Sequence, residues 1–209
     1  MACWPATARC SRSGRARSSA SGQRPPAPPP QVCYLPPDAG SWPAPEAKGD
    51  AMSTTVEQAL GALAATRAEL LAWVARRSEA ESERVVYGTW SVKNVLAHLA
   101  AWETWVVGSM PARLETGSTP EPMRERVIHE DAFNAAEVAA RAHLSLAQQL
   151  AELAEVRELL LAYLASLDPA TMAKPQPWAE WQGTLPEYLL RSLRDHERQH
   201  LDELRALLG

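Results

Sequence analysis

The chain has 209 residues, with 21 basic and 25 acidic side chains and a formal net charge of −4 at pH 7. This length allows one domain with an appendage, or two small domains. No run of 18 apolar residues occurs, so no membrane-spanning helix is predicted, and the acidic balance argues against a protein that binds the phosphate backbone of nucleic acids.

Residues 1–51 differ in composition from the rest of the chain. They hold ten of the 17 prolines, all three cysteines, and six basic against three acidic residues, a net charge of +3. The stretches "RPPAPPPQ" and "SRSGRARSSASG" are typical of polyproline and of flexible low-complexity chain, so we predict a disordered extension. Because "MSTTVEQAL", beginning at Met52, looks like a natural protein start, residues 1–51 are either an upstream extension from a wrong start site or a working segment.

Residues 52–209 are predicted to form the folded domain. They contain no cysteine, and their 15 basic and 22 acidic residues give a net charge of −7. The absence of cysteine rules out a thiol nucleophile, a CxxC redox pair, disulfides and Cys-ligated zinc in this part of the chain. We expect a soluble protein of a reducing compartment, the cytoplasm, with no nucleic-acid or membrane partner.

Two helices are predicted in the first half of this domain. In "TTVEQALGALAATRAELLAWVARR", apolar side chains recur at spacings of three, four and seven, the pattern of an amphipathic helix. A polar loop, "SEAESERVVYGT", follows. Ser91 is a candidate N-cap for the helix "VKNVLAHLAAWETWVVGSM", because its hydroxyl can accept from a backbone N–H, and Pro111 with the loop "ETGSTPEP" is expected to end that helix.

The second half is also predicted to be helical. "MRERVIHEDAFNAAEVAARA" runs into "SLAQQLAELAEVRELLLAYLASL", where the capping-box spacing of Ser145 and Gln148 predicts a fresh helix. After a loop, Thr184, Pro186 and Glu187 predict the start of the last helix. No alternating strand pattern and no Gly-rich phosphate loop occur. Four long amphipathic segments predict an all-α four-helix bundle; the alternative is a helical ligand-binding or regulator domain, although a helix-turn-helix signature is missing.

The stretch "RDHERQHLDEL" places His196 and His200 four residues apart, on one face of a helix. Two such imidazoles can bind one metal ion, or they can be two solvated polar side chains. His98 lies in the most apolar helix and is either a hydrogen-bonded core residue or a third ligand. If the second and last helices face each other, the three histidines form a site with a position open for water or substrate, as in catalytic zinc sites.

Several other side chains are weaker candidates. Trp102 lies one turn beyond His98 and is a candidate for lining a substrate pocket, whereas Glu103 could be a base, a partner of an imidazole or a solvated acid. Asp195 points about 100° away from its neighbour His196 on a helix and is a poor ligand. The remaining tryptophans either fill the core or form a cofactor-binding box, and two further histidines are interpreted as surface residues: Trp90, Trp105, Trp178, Trp181, His129 and His143.

The stretch "GTWSVKNVLAHLAAWE" (88–103), followed by "HERQH", resembles the DinB-like four-helix bundle superfamily. The segment "IHEDAFNAAEVAARAHLSLAQQLAEL" is similar to its ClbS/DfsB branch, whose members carry an acidic-x-Phe-Asn segment there. The resemblance covers residues 54–208. Because three equivalent histidines of DinB-like proteins bind a divalent metal, the resemblance implies the same for His98, His196 and His200, with zinc, nickel, manganese or iron as the ion.

The resemblance also implies a reaction class. DinB-like proteins include S-transferases and isomerases that use a low-molecular-weight thiol cosubstrate, such as mycothiol or bacillithiol, which the metal deprotonates. The ClbS branch is associated with self-resistance to a genotoxic metabolite by hydrolytic opening of a reactive ring.

We therefore expect a metal-dependent enzyme that acts on electrophilic small molecules, with Trp102 and Glu103 near the substrate. A homodimer is expected as well, with the Trp-rich loop 175–183 covering a partner surface. The alternative function is a non-catalytic helical bundle that binds a ligand or partner without a functional metal.

Overall fold

The computed structural model describes residues 55–176, 178 and 183–209, and this part of the chain is mostly helical. The predicted disordered extension, residues 1–51, lies outside it. Of the helices described, none combines the length and the apolarity that a membrane crossing requires. The elements are α1 (Val56–Val74), α2 (Glu79–Ser82), β1 (Val85–Tyr87), β2 (Trp90–Ser91), α3 (Val92–Thr116), α4 (Glu121–Ile128), α5 (Glu130–Arg141), α6 (Leu146–Ser166), α7 (Pro169–Ala173), α8 (Leu185–Leu189), a π-helical turn (Leu190–Asp195) and α9 (His196–Leu208).

Four long helical segments build the core: α1, α3, α6 and the run 185–208, in which the π turn joins α8 to α9. Helix α3 packs against α6 and α9, while α1 packs against α8, the π turn and α9. Two buried apolar clusters each draw side chains from all four segments. The predicted all-α class is thus confirmed, and the shorter helices α2, α4, α5 and α7 add to the four segments that periodicity indicated.

The helix starts predicted from capping residues are confirmed. The Ser91 hydroxyl accepts from the backbone N–H of Asn94 at 3.2 Å, so α3 begins directly after it. The Ser145 hydroxyl does the same for Gln148 at 3.2 Å and divides α6 from the helices before it. These caps depend only on residues three apart in the sequence, which explains why they can be predicted without knowledge of the fold.

The prediction that Pro111 and the loop "ETGSTPEP" end α3 is confirmed for the loop and wrong for Pro111. The helix runs through Pro111 to Thr116, and Gly117 ends it in the left-handed conformation with φ 76°. Proline removes one backbone hydrogen bond from a helix, but the turns on both sides of it bury Met110 and Arg113 in the core. Packing therefore keeps the helix continuous until a glycine permits the left-handed turn.

The segment predicted as a polar loop contains α2 and β1, and β1 forms an antiparallel hairpin with β2 directly after it. In the hairpin, Tyr87 lies opposite Trp90, and Gly88 adopts φ 53° in the turn between them. Strands of three and two residues are too short to show an alternating pattern, so the sequence did not predict this hairpin. Because β1 packs on α9 and β2 on α3, the hairpin lies over the line where these helices meet.

Four charged side chains are buried between the long segments: Arg67 of α1, Glu103 of α3, Arg157 of α6 and Glu197 of α9. Arg67 donates to Glu103 at 2.6 Å and to Glu197 at 2.8 Å. Arg157 donates to the same carboxylates at 2.5 Å and 3.2 Å. Two guanidinium groups balance two carboxylates, which is the condition under which ions are tolerated in a low-dielectric interior. The network links all four long segments.

Candidate metal centre

Three histidine side chains converge between α3 and α9. His98 of α3 and His196 and His200 of α9 are 1, 6 and 2% exposed. The Nε2 atoms of His98 and His196 lie 2.9 Å apart, and the three ring centroids are 4.9 to 5.0 Å from one another. Each ring offers a nitrogen, and these nitrogens all lie within 4.8 Å of one another. The predicted convergence is confirmed, and within the described residues this is the cluster that could hold a metal ion.

The π-helical turn Leu190–Asp195 directly precedes the two histidines of α9. A π turn holds more residues than an α turn, so it rotates the side chains that follow it by about 100° relative to an unbroken α-helix. The direction in which His196 and His200 point therefore depends on this turn. Hydrophobic periodicity did not predict the π turn, because leucines occur on both sides of it and the apolar pattern alone does not show the extra residue.

Residues of the hairpin and of α9 surround the imidazoles. The Trp90 ring packs edge-on against His98 with centroids 5.1 Å apart, and the Tyr87 hydroxyl lies 3.5 Å from His200 Nδ1. Glu203 Oε2 lies 3.0 Å from the same Nδ1. Burial acts to raise the pKa of Glu203, but its hydrogen bonds, foremost the one with His200, lower the pKa below its usual value. An ionised carboxylate only accepts, so His200 Nδ1 is the donor in this contact and Nε2 is the ring nitrogen left for a metal, as in metal-binding histidines.

The electrostatics of the cluster suit a cation. Burial lowers the pKa of His98 and of His196 well below the usual value of 6.5, and the neighbouring imidazoles lower both further. Both rings are therefore neutral at pH 7 and have a lone pair available. Neutral imidazole nitrogens are common ligands of divalent zinc, nickel and iron in proteins. Three imidazole nitrogens within 4.8 Å of one another, on buried side chains, fit a divalent metal ion.

The family model of the DinB superfamily matches residues 84–204, which is more than half of the chain and includes all three histidines. The chain belongs to the DinB superfamily. No curated protein matches it. The resemblance that the sequence motifs indicated is thus confirmed at the level of the DinB superfamily.

Two residues of this DinB-superfamily chain were predicted to lie near a substrate. Trp102 is 1% exposed, its ring lies 6.2 Å from that of His98, and its indole N–H donates to Asn134 Oδ1 at 2.9 Å. Glu103 belongs to the buried charge network, where both of its oxygens accept from arginines. Neither side chain is a solvated group, and a substrate-binding role for either stays a prediction.

Of the other residues singled out in the sequence, Trp90 packs against His98, and the rest lie apart from the cluster. His129 and His143 are exposed, as predicted, and Asp195 is exposed as well. The tryptophans of the described part pack against the apolar clusters, which favours core filling over a cofactor box. Trp178 is buried within the chain and donates to a backbone carbonyl of α3 at 3.0 Å, and Trp181 lies outside the described residues.

Sequence reasoning missed three residues that contact the histidines: Tyr87, Asn134 and Glu203. Glu203 lies three residues after His200 on the same helix, so its spacing was a readable signal. Asn134 Oδ1 lies 3.0 Å from His98 Nδ1, a contact that depends on the packing of α5 against α3. Tyr87 reaches the site only because the hairpin forms.

Glu130 begins α5 and carries a perturbed carboxyl group. Burial, and to a smaller extent the charge of Asp131, raises the pKa of Glu130 to about 7 from the usual 4.5. Because the pKa is higher in the folded protein, this residue's contribution to stability is present below pH 4.5 and is lost as the pH rises through about 7. We expect Glu130→Gln to remove that loss and to be more stable than the parent by about 1–2 kcal/mol at about pH 8, after allowance for solvent screening.

Urea denaturation of both proteins at acidic and alkaline pH measures this difference. Glu125→Gln, which changes an exposed carboxyl of α4, is the control and should leave the pH dependence as it is in the parent. Stability curves that run parallel for the parent and Glu130→Gln would show that the expected shift is absent.

Proposed function

We propose that this chain is a divalent-metal-dependent enzyme that acts on electrophilic small molecules, by thiol S-transfer or by hydrolysis. The observation that carries the proposal is the convergence of three buried imidazoles, those of His98, His196 and His200, on one point. Three nitrogen ligands leave room for a water molecule or a substrate, which is typical of catalytic metal sites. A metal bound there would lower the pKa of a water or thiol beside it.

The surrounding residues give the site its shape. The Glu203 carboxylate contacts His200 Nδ1 and leaves Nε2 as the ring nitrogen available to a metal. The rings of Tyr87 and Trp90 stack with centroids 6.0 Å apart and form an aromatic wall next to the histidines. An apolar wall beside a few polar groups is the usual character of a small-molecule site, and it keeps water away from a reactive intermediate.

The nucleophile in this proposal comes from outside the folded domain. Residues 52–209 contain no cysteine, so this part of the chain supplies no thiol. A low-molecular-weight thiol or a water molecule then attacks the electrophile. Kinship with the ClbS/DfsB branch, and hence hydrolytic detoxification or self-resistance, is supported by the Phe-Asn segment, because Asn134 of that segment lies against His98.

The test compares metal-loaded with chelator-stripped protein of full length. The loaded form is prepared separately with zinc, nickel, manganese or iron(II). Both the loaded and the stripped protein are then incubated with an epoxide, as a simple electrophile, in the presence and absence of mycothiol or bacillithiol. We expect the loaded protein to consume the epoxide about 100-fold faster than the stripped protein. A requirement for the thiol would identify S-transfer, and consumption without it would identify hydrolysis.

His200→Ala is the matched control, because it removes one nitrogen of the cluster and should abolish the metal-dependent rate. Equal rates for loaded and stripped protein, with every metal, would argue for the alternative, a non-catalytic bundle that binds a ligand or a partner.

A small-molecule substrate, a cytoplasmic location and a homodimer stay predictions. For a homodimer, Leu159 and Leu161 of α6 are large apolar side chains, 57 and 41% exposed, that a partner subunit could cover. Sedimentation equilibrium should then show a dimer that Leu159→Glu dissociates. A monomer at high micromolar concentration would contradict this prediction.

A further inference from the structure

The Asn134 side chain joins Trp102 to His98. It is 3% exposed, and its Oδ1 lies 2.9 Å from Trp102 Nε1 and 3.0 Å from His98 Nδ1. An indole N–H donates and cannot accept a hydrogen bond. The Asn134 atom that faces it must therefore be the oxygen, so chemistry fixes the orientation of the amide.

A second neighbour favours the same orientation. Glu130 lies one helical turn before Asn134 on α5, and the amide acts to lower the pKa of that carboxyl, as a nearby N–H donor does. Among the described residues, the buried Glu130 Oε1 and the buried Asn134 Nδ2 each have no hydrogen-bond partner, so a donor and an acceptor one helical turn apart are left for each other. Turning the amide over would place its oxygen against the carboxylate and its N–H groups against the indole N–H.

The orientation of the amide determines the tautomer of His98. An amide oxygen only accepts, so His98 Nδ1 must carry the proton and His98 Nε2 must be unprotonated. That Nε2 lies 2.9 Å from His196 Nε2, on the side of the ring that faces the cluster. We propose that Trp102 and Asn134 are positioning residues that lock His98 in the tautomer whose Nε2 lone pair faces His196 and His200.

This inference rests on the proposed function only for the use of the lone pair by a metal, since the tautomer exists in the metal-free protein. Imidazole ¹⁵N NMR of the metal-free full-length chain, assigned with His98→Gln, measures it directly. We expect His98 to be protonated on Nδ1, and Asn134→Leu, which cannot accept a hydrogen bond, to shift it toward the Nε2-protonated form.

The His200 signals are the internal control of this experiment. Glu203 holds the His200 tautomer, so those signals should not change in Asn134→Leu unless the fold itself is disturbed. Trp102→Phe keeps a smaller aromatic ring and removes the indole N–H, so it carries the same test if Asn134→Leu does not fold. His98 protonated on Nε2 in the parent, or a tautomer that neither variant alters, overturns the proposal.

Metal affinity provides the second readout, by chelator competition with zinc. Residues that hold a metal-binding histidine typically change affinity by 10- to 100-fold, so we expect a loss of about that size in Asn134→Leu. Asn134→Asp in a Glu130→Gln background restores an acceptor without placing two carboxylates one turn apart, and it should recover most of the affinity. If the affinity for zinc is unchanged in Asn134→Leu, the proposal that Trp102 and Asn134 position His98 for a metal is overturned. If the parent protein binds no metal but His98 has the expected tautomer, the proposed function is refuted and the proposal about the His98 tautomer stands.

Discussion

Replacing Glu103 with alanine is expected to lower the free energy of unfolding by about 3–5 kcal/mol. The side chain is buried, and its oxygens accept from Arg67 at 2.6 Å and from Arg157 at 2.5 Å. Without it, two buried guanidinium groups share the single carboxylate of Glu197, and one positive charge is left uncompensated. Single domains are stable by only about 5–15 kcal/mol, so urea denaturation should reveal a large fraction of the total lost.

Two comparisons separate this effect from ordinary loss of a charge. Glu69→Ala removes an exposed carboxylate that accepts from Arg198 at 2.8 Å, and surface ion pairs of this kind contribute little. The double change Arg67→Met with Glu103→Leu leaves Arg157 paired with Glu197. It should therefore lower the free energy of unfolding by less than the sum of the losses in the two single variants. Additive costs, or a Glu103→Ala cost no larger than that of Glu69→Ala, would contradict the proposed role of the network.

Alanine at His98, His196 or His200 is expected to weaken binding of a divalent metal by more than about 100-fold, since loss of a residue that merely supports a ligand already costs 10- to 100-fold. Each change removes one of the three nitrogens that lie within 4.8 Å of one another. Equilibrium dialysis against zinc or nickel, followed by elemental analysis, measures the loss. Thermal unfolding of each variant should confirm that the helices still form.

His129→Ala and His143→Ala are the matched controls, because both histidines are exposed and lie outside the cluster. They should bind as much metal as the parent. A variant of the cluster that binds metal as tightly as the parent would remove that histidine from the proposed ligand set.

Local features of this fold were predictable from the sequence because their determinants are close together in the chain. Ser91 and Ser145 cap helices through contacts three residues away, and His196 and His200 share a helix face through a four-residue spacing. The partnership of these two with His98 is different, since it joins helices far apart in sequence. Spacing left it open, and the resemblance to a known family made it a definite expectation.

Apart from Glu203, whose contact with His200 is local, the following features were missed because they depend on packing between segments distant in sequence or on tertiary burial. Glu103 looked like a base or a solvated acid, because nothing local shows that Arg67 and Arg157 enter the core beside it. The contact of Asn134 with His98 needs the docking of α5 against α3. Pro111 predicted a helix end, whereas burial on both sides of it outweighs the one hydrogen bond it removes.

X-ray absorption spectroscopy at the metal edge of zinc- or nickel-loaded full-length protein, together with the metal content per chain, tests the central claim most directly. We predict one metal ion per chain, with three imidazole nitrogens at about 2.0–2.1 Å in the zinc form and lighter-atom ligands completing the coordination. Loss of the imidazole signal in His98→Ala would assign it to the buried cluster. A parent protein that retains no metal, or whose metal has an unchanged imidazole signal when His98, His196 and His200 are replaced one at a time, would contradict the claim.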